Sequence, residues 1–400
     1  MSEKPSCLEM PPVFLNSAGI ICSLGAGLQP VQDNLFDDNA DTCYIKQSPL
    51  YSTDRCLPLG LIDFPLAAVS ISDEGTRNNR VLTTALTPLL PEIEAYKTRF
   101  GAHRIAVVIG TSTSGISDGE KALSYHRKYN ELPADYHYQQ QEISSPSRYV
   151  AQWLGLRGPV FSVSSACTSG AKALTSAARL LQLGVCDAVI AGGVDTLCHM
   201  TVKGFSSLEI TSQSICNPFS INRKGMNVGE GAGVFILTRE PGCVRLAGFG
   251  ETSDAYHISA PHPEGKGAER AMRQALLQAG MTPETVNYIN FHGTATEHND
   301  KMEAMAVHRV FGADIACSST KPLTGHALAA AGAIEAVFCW LALQRDDGKL
   351  PPHHWDGQID PELPELRGIA TETLNGKLTT AMSNSFAFGG NNASLILSRE

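Results

Sequence analysis

The feature that most constrains this 400-residue chain is an internal echo. Residues 233–240 read GVFILTRE and residues 393–400 read ASLILSRE, with Ile236/Ile396, Leu237/Leu397, Arg239/Arg399 and Glu240/Glu400 identical at an offset of 160. Nearly the same offset, 159, sets Cys167 opposite His326, and each of these precedes an Ala/Leu-rich helical pattern. Two agreeing signals of this kind predict a duplicated chain. Its length agrees, because single cores tend to split beyond roughly 250–300 residues. We place the halves at residues 1–240 and 241–400, with Pro241 and Gly242 turning between strands.

Within each half, short β-type runs alternate with longer helical patterns. Strands are predicted at 13–16, 104–109, 160–164, 187–191, 233–238, 286–290, 314–318, 378–382 and 393–398. RIAVVIG and DAVIAG are continuously apolar, as sheet strands covered on both faces must be. A helix is predicted over 169–183, with Ala171, Leu174, Ala178 and Leu181 on one face and Gly184 as its stop. Others cover 268–279 and 301–311, each followed by glycine. The alternation predicts an α/β fold. Residues 115–147, rich in Tyr, Gln and Ser, read as an irregular surface insertion.

Charge and cysteine usage narrow the function classes. A net charge of −9 (31 − 40) and the lack of a dense Lys/Arg run argue against nucleic acid as a partner. No stretch of about 20 residues is apolar enough to span a membrane, and no basic segment followed by an apolar one suggests secretion. The eleven cysteines, from Cys7 to Cys339, include no C-x-x-C pair. That pattern predicts a cytoplasmic protein whose thiols are mostly small buried hydrophobes.

One thiol stands out by its surroundings. In VFSVSSACTSGAK, residues 160–172, a β-run ends and Cys167 stands at the mouth of a helix. Helix-end N–H groups favour thiolate and lower the thiol pKa from about 8.5. Ala166, Ser169 and Gly170 leave room for a substrate. The competing reading is a structural cysteine at a tight strand–helix junction.

Two histidines carry similar signatures. His292 follows a predicted strand in YINFHGTATEHND and precedes Gly293, while His326 follows Gly325 at the start of an apolar helix. A helix N-terminus disfavours imidazolium, so His326 is expected to be neutral near pH 7. Two such histidines beside a helix-mouth cysteine point to catalysis rather than packing. His298 reads as a solvated loop residue. His292, His298, Asp300 and Glu303 lack the spacing of paired helical metal ligands, so no metal centre is expected. Lys321 and Glu303 are expected to pair, either buried behind the histidines or on the surface. The terminal loop SNSFAFGGNNAS, residues 383–394, has two glycines that permit an anion nest, or simply a hairpin with two packed phenylalanines.

The order Cys167, His292, Lys321, His326 and FAFGG resembles the β-ketoacyl-(acyl carrier protein) synthases, the elongating condensing enzymes of fatty acid and polyketide synthesis. GTSTSG, SSACTSG, AGGVD at 191–195, NPFS…GEGAG, HGTAT and TKPLTGHALAAAGAIEA carry the resemblance from about Ile105 to the C-terminus. It implies a thiolase fold of two duplicated halves in α-β-α-β-α layers, forming a homodimer or a heterodimer with a related ketosynthase subunit. It implies that Cys167 accepts the acyl group and that His292 and His326 drive malonyl decarboxylation, with Lys321 and Glu303 in support. The backbone N–H groups of Cys167 and Phe388 would form the oxyanion hole, with the rings of Phe388 and Phe386 as a gate. No metal or organic cofactor is implied, since the phosphopantetheine arm arrives on the acyl carrier protein. Arg127, Lys128 and Lys203 match approximate carrier-docking positions.

The sequence also departs from the family pattern. Glu297 and Asn299 replace Pro and Gly, Ser220 replaces an acidic residue, and Lys224-Gly225-Met226 replaces Asp-Gly-Phe. Ala387 and Asn391 stand where Gly and Thr are usual. The N-terminal segment and DGKLPPHHWDGQIDPELPEL look more like aryl polyene-type ketosynthases. A thiolase-like acyltransferase is the first alternative, but no cysteine follows Cys339 to act as its second catalytic thiol. The other is a silent chain-length-setting partner subunit, which would be expected to lack the nucleophile that is present here.

Overall fold

The computed structural model describes residues 10–37, 43–52, 55–71 and 74–400, so Cys7 lies outside it. The first half contributes β1 (Phe14–Cys22), a short β2 (Gly25–Ala26) folded back on it, and a small hairpin of β3 (Lys46–Ser48) and β4 (Leu57–Leu59). Its remaining strands are β5 (Ile105–Gly110), β6 (Val160–Val163), β7 (Ala188–Asp195) and β8 (Gly231–Thr238). The second half contributes β9 (Val244–Ser253), β10 (Tyr288–Asn290), β11 (Ala316–Ser318), β12 (Thr380–Ala387) and β13 (Asn391–Arg399).

The duplication is explicit in the topology. The sheet runs β11-β10-β12-β13-β9-β1-β8-β7-β5-β6. Numbered within its own half, each set of five strands has the order 3-2-4-5-1 read inward. In both, the first three pairs inward are parallel, parallel and antiparallel, and the fourth is antiparallel. The halves join where β1 meets β9 antiparallel through the single pair Phe14/Arg245.

The helices are α1 (Leu28–Leu35), α2 (Arg77–Leu86), α3 (Leu90–Phe100), α4 (Ile116–Tyr129), α5 (Ser145–Leu154), α6 (Ser169–Gln182) and α7 (His199–Ser207). After them come α8 (Lys266–Ala279), α9 (Glu297–Phe311), α10 (Lys321–Thr324) and α11 (Ala331–Leu343). α6 and α11 pack on each other and on the inner faces of both sheets in one apolar core. α2 and α5 cover the outer face of the first sheet, and α8 and α9 that of the second. The result is the α-β-α-β-α layering. α11 is buried along its whole length, which explains its all-round apolar sequence.

Differences from the expected elements have physical causes. β1 spans nine residues rather than four, and β7 continues through Gly192 and Gly193 to Asp195, because pairing with β8 carries weak strand formers along. β9 follows the predicted Pro241–Gly242 turn but was not among the predicted strands. Its Gly248 and Gly250 are not turn signals; a Cβ there would meet the Ala275 and Ala271 carbonyls of α8 at 2.3 and 1.9 Å. Residues 115–147 are more regular than expected, holding the 14-residue α4 and the start of α5. α9 begins at Glu297 rather than Lys301, so His298 sits in its first turn and is not a loop residue.

Candidate active site

Short side chains build the turn that presents Cys167. Ser169 Oγ accepts from the Ser165 N–H at 2.9 Å and donates to the Ala166 carbonyl at 2.6 Å, while Ala166 takes a left-handed φ of 51°. Cys167 stands two residues ahead of α6 and is 8% exposed. His326 lies in the equivalent connection of the second half, ahead of α11. Its N–H donates to the Asn227 carbonyl at 2.7 Å, and its own carbonyl accepts from Gly229 at 2.9 Å. His292 follows β10 by two residues.

These three residues converge. His326 Nε2 is 2.9 Å from Cys167 Sγ, and the His292 and His326 rings stand edge to face at 5.1 Å between centroids. One donor atom from each of the three lies within 4.8 Å of the others. They share a cavity of about 330 Å³ with Phe386 and Phe388, whose rim includes Lys224 and His298. Phe386 packs edge-on to His292 at 6.2 Å, and the half-buried Phe388 ring meets Phe205 at 5.9 Å.

Electrostatics revise the expected state of the thiol. Burial pushes Cys167 up to about 12, opposed by Lys321 and by the backbone N–H groups of Cys167 and Phe388. Desolvation is the largest of these influences, and it favours thiol over thiolate at Cys167. Both histidines are held well below the usual imidazole range, first by burial and then by the Lys321 cation, with His326 adding to the effect on His292. His326 is therefore neutral as expected, but the helix terminus is not the main reason.

The expected Lys321–Glu303 pair does not form. Lys321 Nζ pairs with Glu335 of α11, their side chains 1% and 2% exposed. Glu303 instead accepts the backbone N–H groups of His292 and Gly293, both at 2.8 Å. α10 turns Lys321 toward the central helix layer, while α9 carries Glu303 beneath the histidine loop. Asp300 performs a similar task, accepting from Phe219 N–H at 2.8 Å and Ala295 N–H at 3.2 Å. These two carboxylates are anchors for backbone. Glu335 was legible in principle, as the one charge in the apolar run of α11.

The expected docking cations lie outside this cavity. Arg127 and Lys128 are exposed in the last turn of α4, and Lys203 is exposed on α7, beside a cleft that also includes Arg55. Glu120 of α4 accepts the His199 and Met200 N–H groups, which joins the two helices. The missing acidic residue at Ser220 has a substitute in Asp356, which accepts from Ser220 Oγ and Asn222 Nδ2 at 2.8 Å each.

Comparison with known proteins places this geometry. Residues 74–241 match the β-ketoacyl synthase N-terminal domain, and residues 243–354 match the C-terminal domain. A 3-oxoacyl-[acyl-carrier-protein] synthase 2 of Staphylococcus aureus is 39% identical over 260 residues, 61% of this chain and 64% of that protein. Nodulation protein E of Rhizobium leguminosarum bv. trifolii is 40% identical over 266 residues, 63% of this chain and 64% of its own. These matches thus span slightly less than two thirds of each curated relative. A chain of the solved complex between the ketosynthase ApeO and its chain length factor ApeC from Xenorhabdus doucetiae superposes with a TM-score of 0.92 and 42% identity, covering all of both chains. With both domains matched in order on a duplicated thiolase fold, the chain belongs to the β-ketoacyl synthase family.

Proposed function

We propose that the chain is a 3-oxoacyl-(acyl carrier protein) synthase, joining a Cys-bound acyl group to malonyl carrier protein by decarboxylative Claisen condensation. The observation that carries this reading is the contact of Cys167 Sγ with His326 Nε2 at 2.9 Å, with His292 edge to face against His326 in the same cavity. The neutral imidazole takes the thiol proton as sulfur attacks the acyl thioester, and the proton leaves on the carrier thiol. The N–H groups of Cys167 and Phe388 hold the oxyanion. In the second half-reaction, N–H groups of His292 and His326 stabilise the enolate oxygen as carbon dioxide departs. The enolate carbon attacks the acyl-cysteine, the C–S bond breaks with sulfur leaving as thiolate, which regains its proton from water, and a 3-oxoacyl chain two carbons longer remains on the carrier.

The chemistry needs only thiol, imidazole and backbone donors, so the pantetheine arm brought by the carrier is the sole prosthetic group proposed. A related ketosynthase chain or a second copy would cover edge strand β6, where Val160 and Phe161 are 37% and 38% exposed. The presence of Cys167 with both histidines favours an active subunit over a silent partner. The likeness to a chain of the ApeO–ApeC complex favours aryl polyene-type synthesis as the pathway. A reducing cytoplasm fits the ten described cysteines, all free. Among the described residues, no helix is long and apolar enough to cross a membrane.

Intact-mass analysis after incubation with a panel of acyl carrier proteins, followed by malonyl carrier protein, tests the reading. Acyl mass on Cys167 and an extended 3-oxo product are expected, and both disappear in Cys167→Ala. Product formation by Cys167→Ala at the wild-type rate would refute it.

A further inference from the structure

AGGVD at 191–195 carries an acidic residue to which the reaction above gives no task. Asp195 ends β7 and is fully buried. Its Oδ1 accepts from Thr111 Oγ1, the Ser112 N–H, Thr113 N–H and Thr113 Oγ1, at 2.8, 2.8, 2.9 and 2.8 Å. Its Oδ2 accepts from the Ala329 N–H at 2.8 Å. Five donors and no acceptor describe an ionised carboxylate, although burial alone works against the charge.

The Ala329 bond crosses between the halves. Ala329 lies three residues after His326, and Leu328 before it holds a left-handed φ of 51°, strained for a branched side chain. Gly170 beside Cys167 and Gly193 on β7 let this turn approach. A Cβ on either would stand 2.7 or 2.8 Å from the Ala329 carbonyl oxygen. The anion that grips both the 111–113 loop and the His326 turn also works to raise the Cys167 thiol.

We infer that Asp195 is a positioning residue, fixing His326 against Cys167 across the seam between the halves. Its buried charge also works against thiolate at Cys167. This rests on the proposed reaction only for the direction of its effect on acyl loading. The ionisable groups facing Cys167 are Asp195 from β7, Lys321 from α10, and His292 and His326 from their loops; Glu335 offsets Lys321 from α11. Removal of the Asp195 charge leaves Lys321 less opposed and favours thiolate. At the same time, an amide nitrogen facing the Ala329 N–H releases the turn that carries His326.

The test compares wild type, Asp195→Asn and Asp195→Glu in the full chain. Iodoacetamide alkylation of Cys167 is followed at pH 8 by peptide mass spectrometry, and acyl loading from acyl carrier protein at pH 7. One unit less on the thiol means tenfold more thiolate, so Asp195→Asn should be alkylated several-fold faster while loading at least tenfold more slowly. Asp195→Glu keeps the charge and should hold alkylation near the wild-type rate. Alkylation that is unchanged in Asp195→Asn, or that falls together with loading and melting temperature, would overturn the inference, as would normal loading. If Asp195→Asn does not fold, Asp195→Glu decides alone: alkylation accelerated as if the charge were lost would overturn it. Should wild type load no acyl group, the proposed reaction fails, but the alkylation comparison still decides the role of the Asp195 charge.

Discussion

Lys321 offers the most discriminating perturbation, because its partner in the structure is not the residue the sequence suggested. Lys321 and Glu335 are 1% and 2% exposed, so solvent screens their pairing little. Removing one member of such a pair strands the other and costs roughly 3–5 kcal/mol. Burial already pushes the Glu335 carboxyl up, with Lys321 opposing that rise. In Lys321→Met, Glu335 must therefore stay charged without a partner or take a proton.

A double-mutant cycle separates the two candidate partners. Lys321→Met with Glu335→Gln should cost about 2–3 kcal/mol less than the sum of the single variants, as residues in direct contact do. Lys321→Met with Glu303→Gln should be additive within about 0.5 kcal/mol, because Glu303 spends its oxygens on the His292 and Gly293 N–H groups. Urea unfolding midpoints and slopes of the five variants and wild type supply the comparison. Coupling to Glu303 equal to or greater than coupling to Glu335 would refute the reasoning. Titration of the histidines gives an independent sign: loss of the cation must raise both imidazole pKa values toward the ordinary range, since Lys321 lowers both.

Three further outcomes are expected. His326→Ala should slow both acyl loading and malonyl decarboxylation because it touches Sγ, whereas His292→Ala should spare loading and stop carbon dioxide release; equal loss in both assays by both variants would contradict the division. Phe388→Ala should change acyl-chain selectivity while keeping its backbone donor, and its half-buried ring limits the stability loss to below the roughly 3–5 kcal/mol of a fully buried Phe; a uniform rate loss across chain lengths that tracks melting temperature would leave only a packing role. Charge reversal at Lys203 or at Arg127 and Lys128 should raise the KM for carrier-bound substrate and weaken its salt dependence, measured by steady-state kinetics across ionic strength; unchanged KM would remove that face from the docking surface.

What the sequence disclosed follows from which forces are local. β5, β7 and β8 were legible because strands buried on both faces need continuous apolar runs. β9 was hidden because its glycines serve a helix that is distant in sequence, and a turn uses the same residue type. Cys167, His292 and His326 were legible from small neighbours at element ends. The state of the thiol was not, because helix position is written in sequence while desolvation depends on which segments close over the sulfur. Lys321 has acidic residues 18 positions before it and 14 after it, and spacing cannot choose between them. The fold of α10 against α11 does.

The duplication also explains where the chemistry sits. Equivalent strands β1 and β9 meet antiparallel at the centre, as a two-fold relation between the halves requires. Points related by a two-fold can touch only close to its axis. Cys167 and His326 occupy matching connections, one ahead of α6 and one ahead of α11, and these helices pack on each other. A 2.9 Å contact between them is therefore possible only at the seam. Divergence of the halves then made one matched position a thiol and the other an imidazole, which sets the two groups of the proposed nucleophile–base pair against each other at the interface. The same placement makes the distance between sulfur and nitrogen sensitive to how the halves dock, so an anchor such as Asp195, reaching from β7 to the turn beyond His326, would bear on the proposed reaction without touching the substrate.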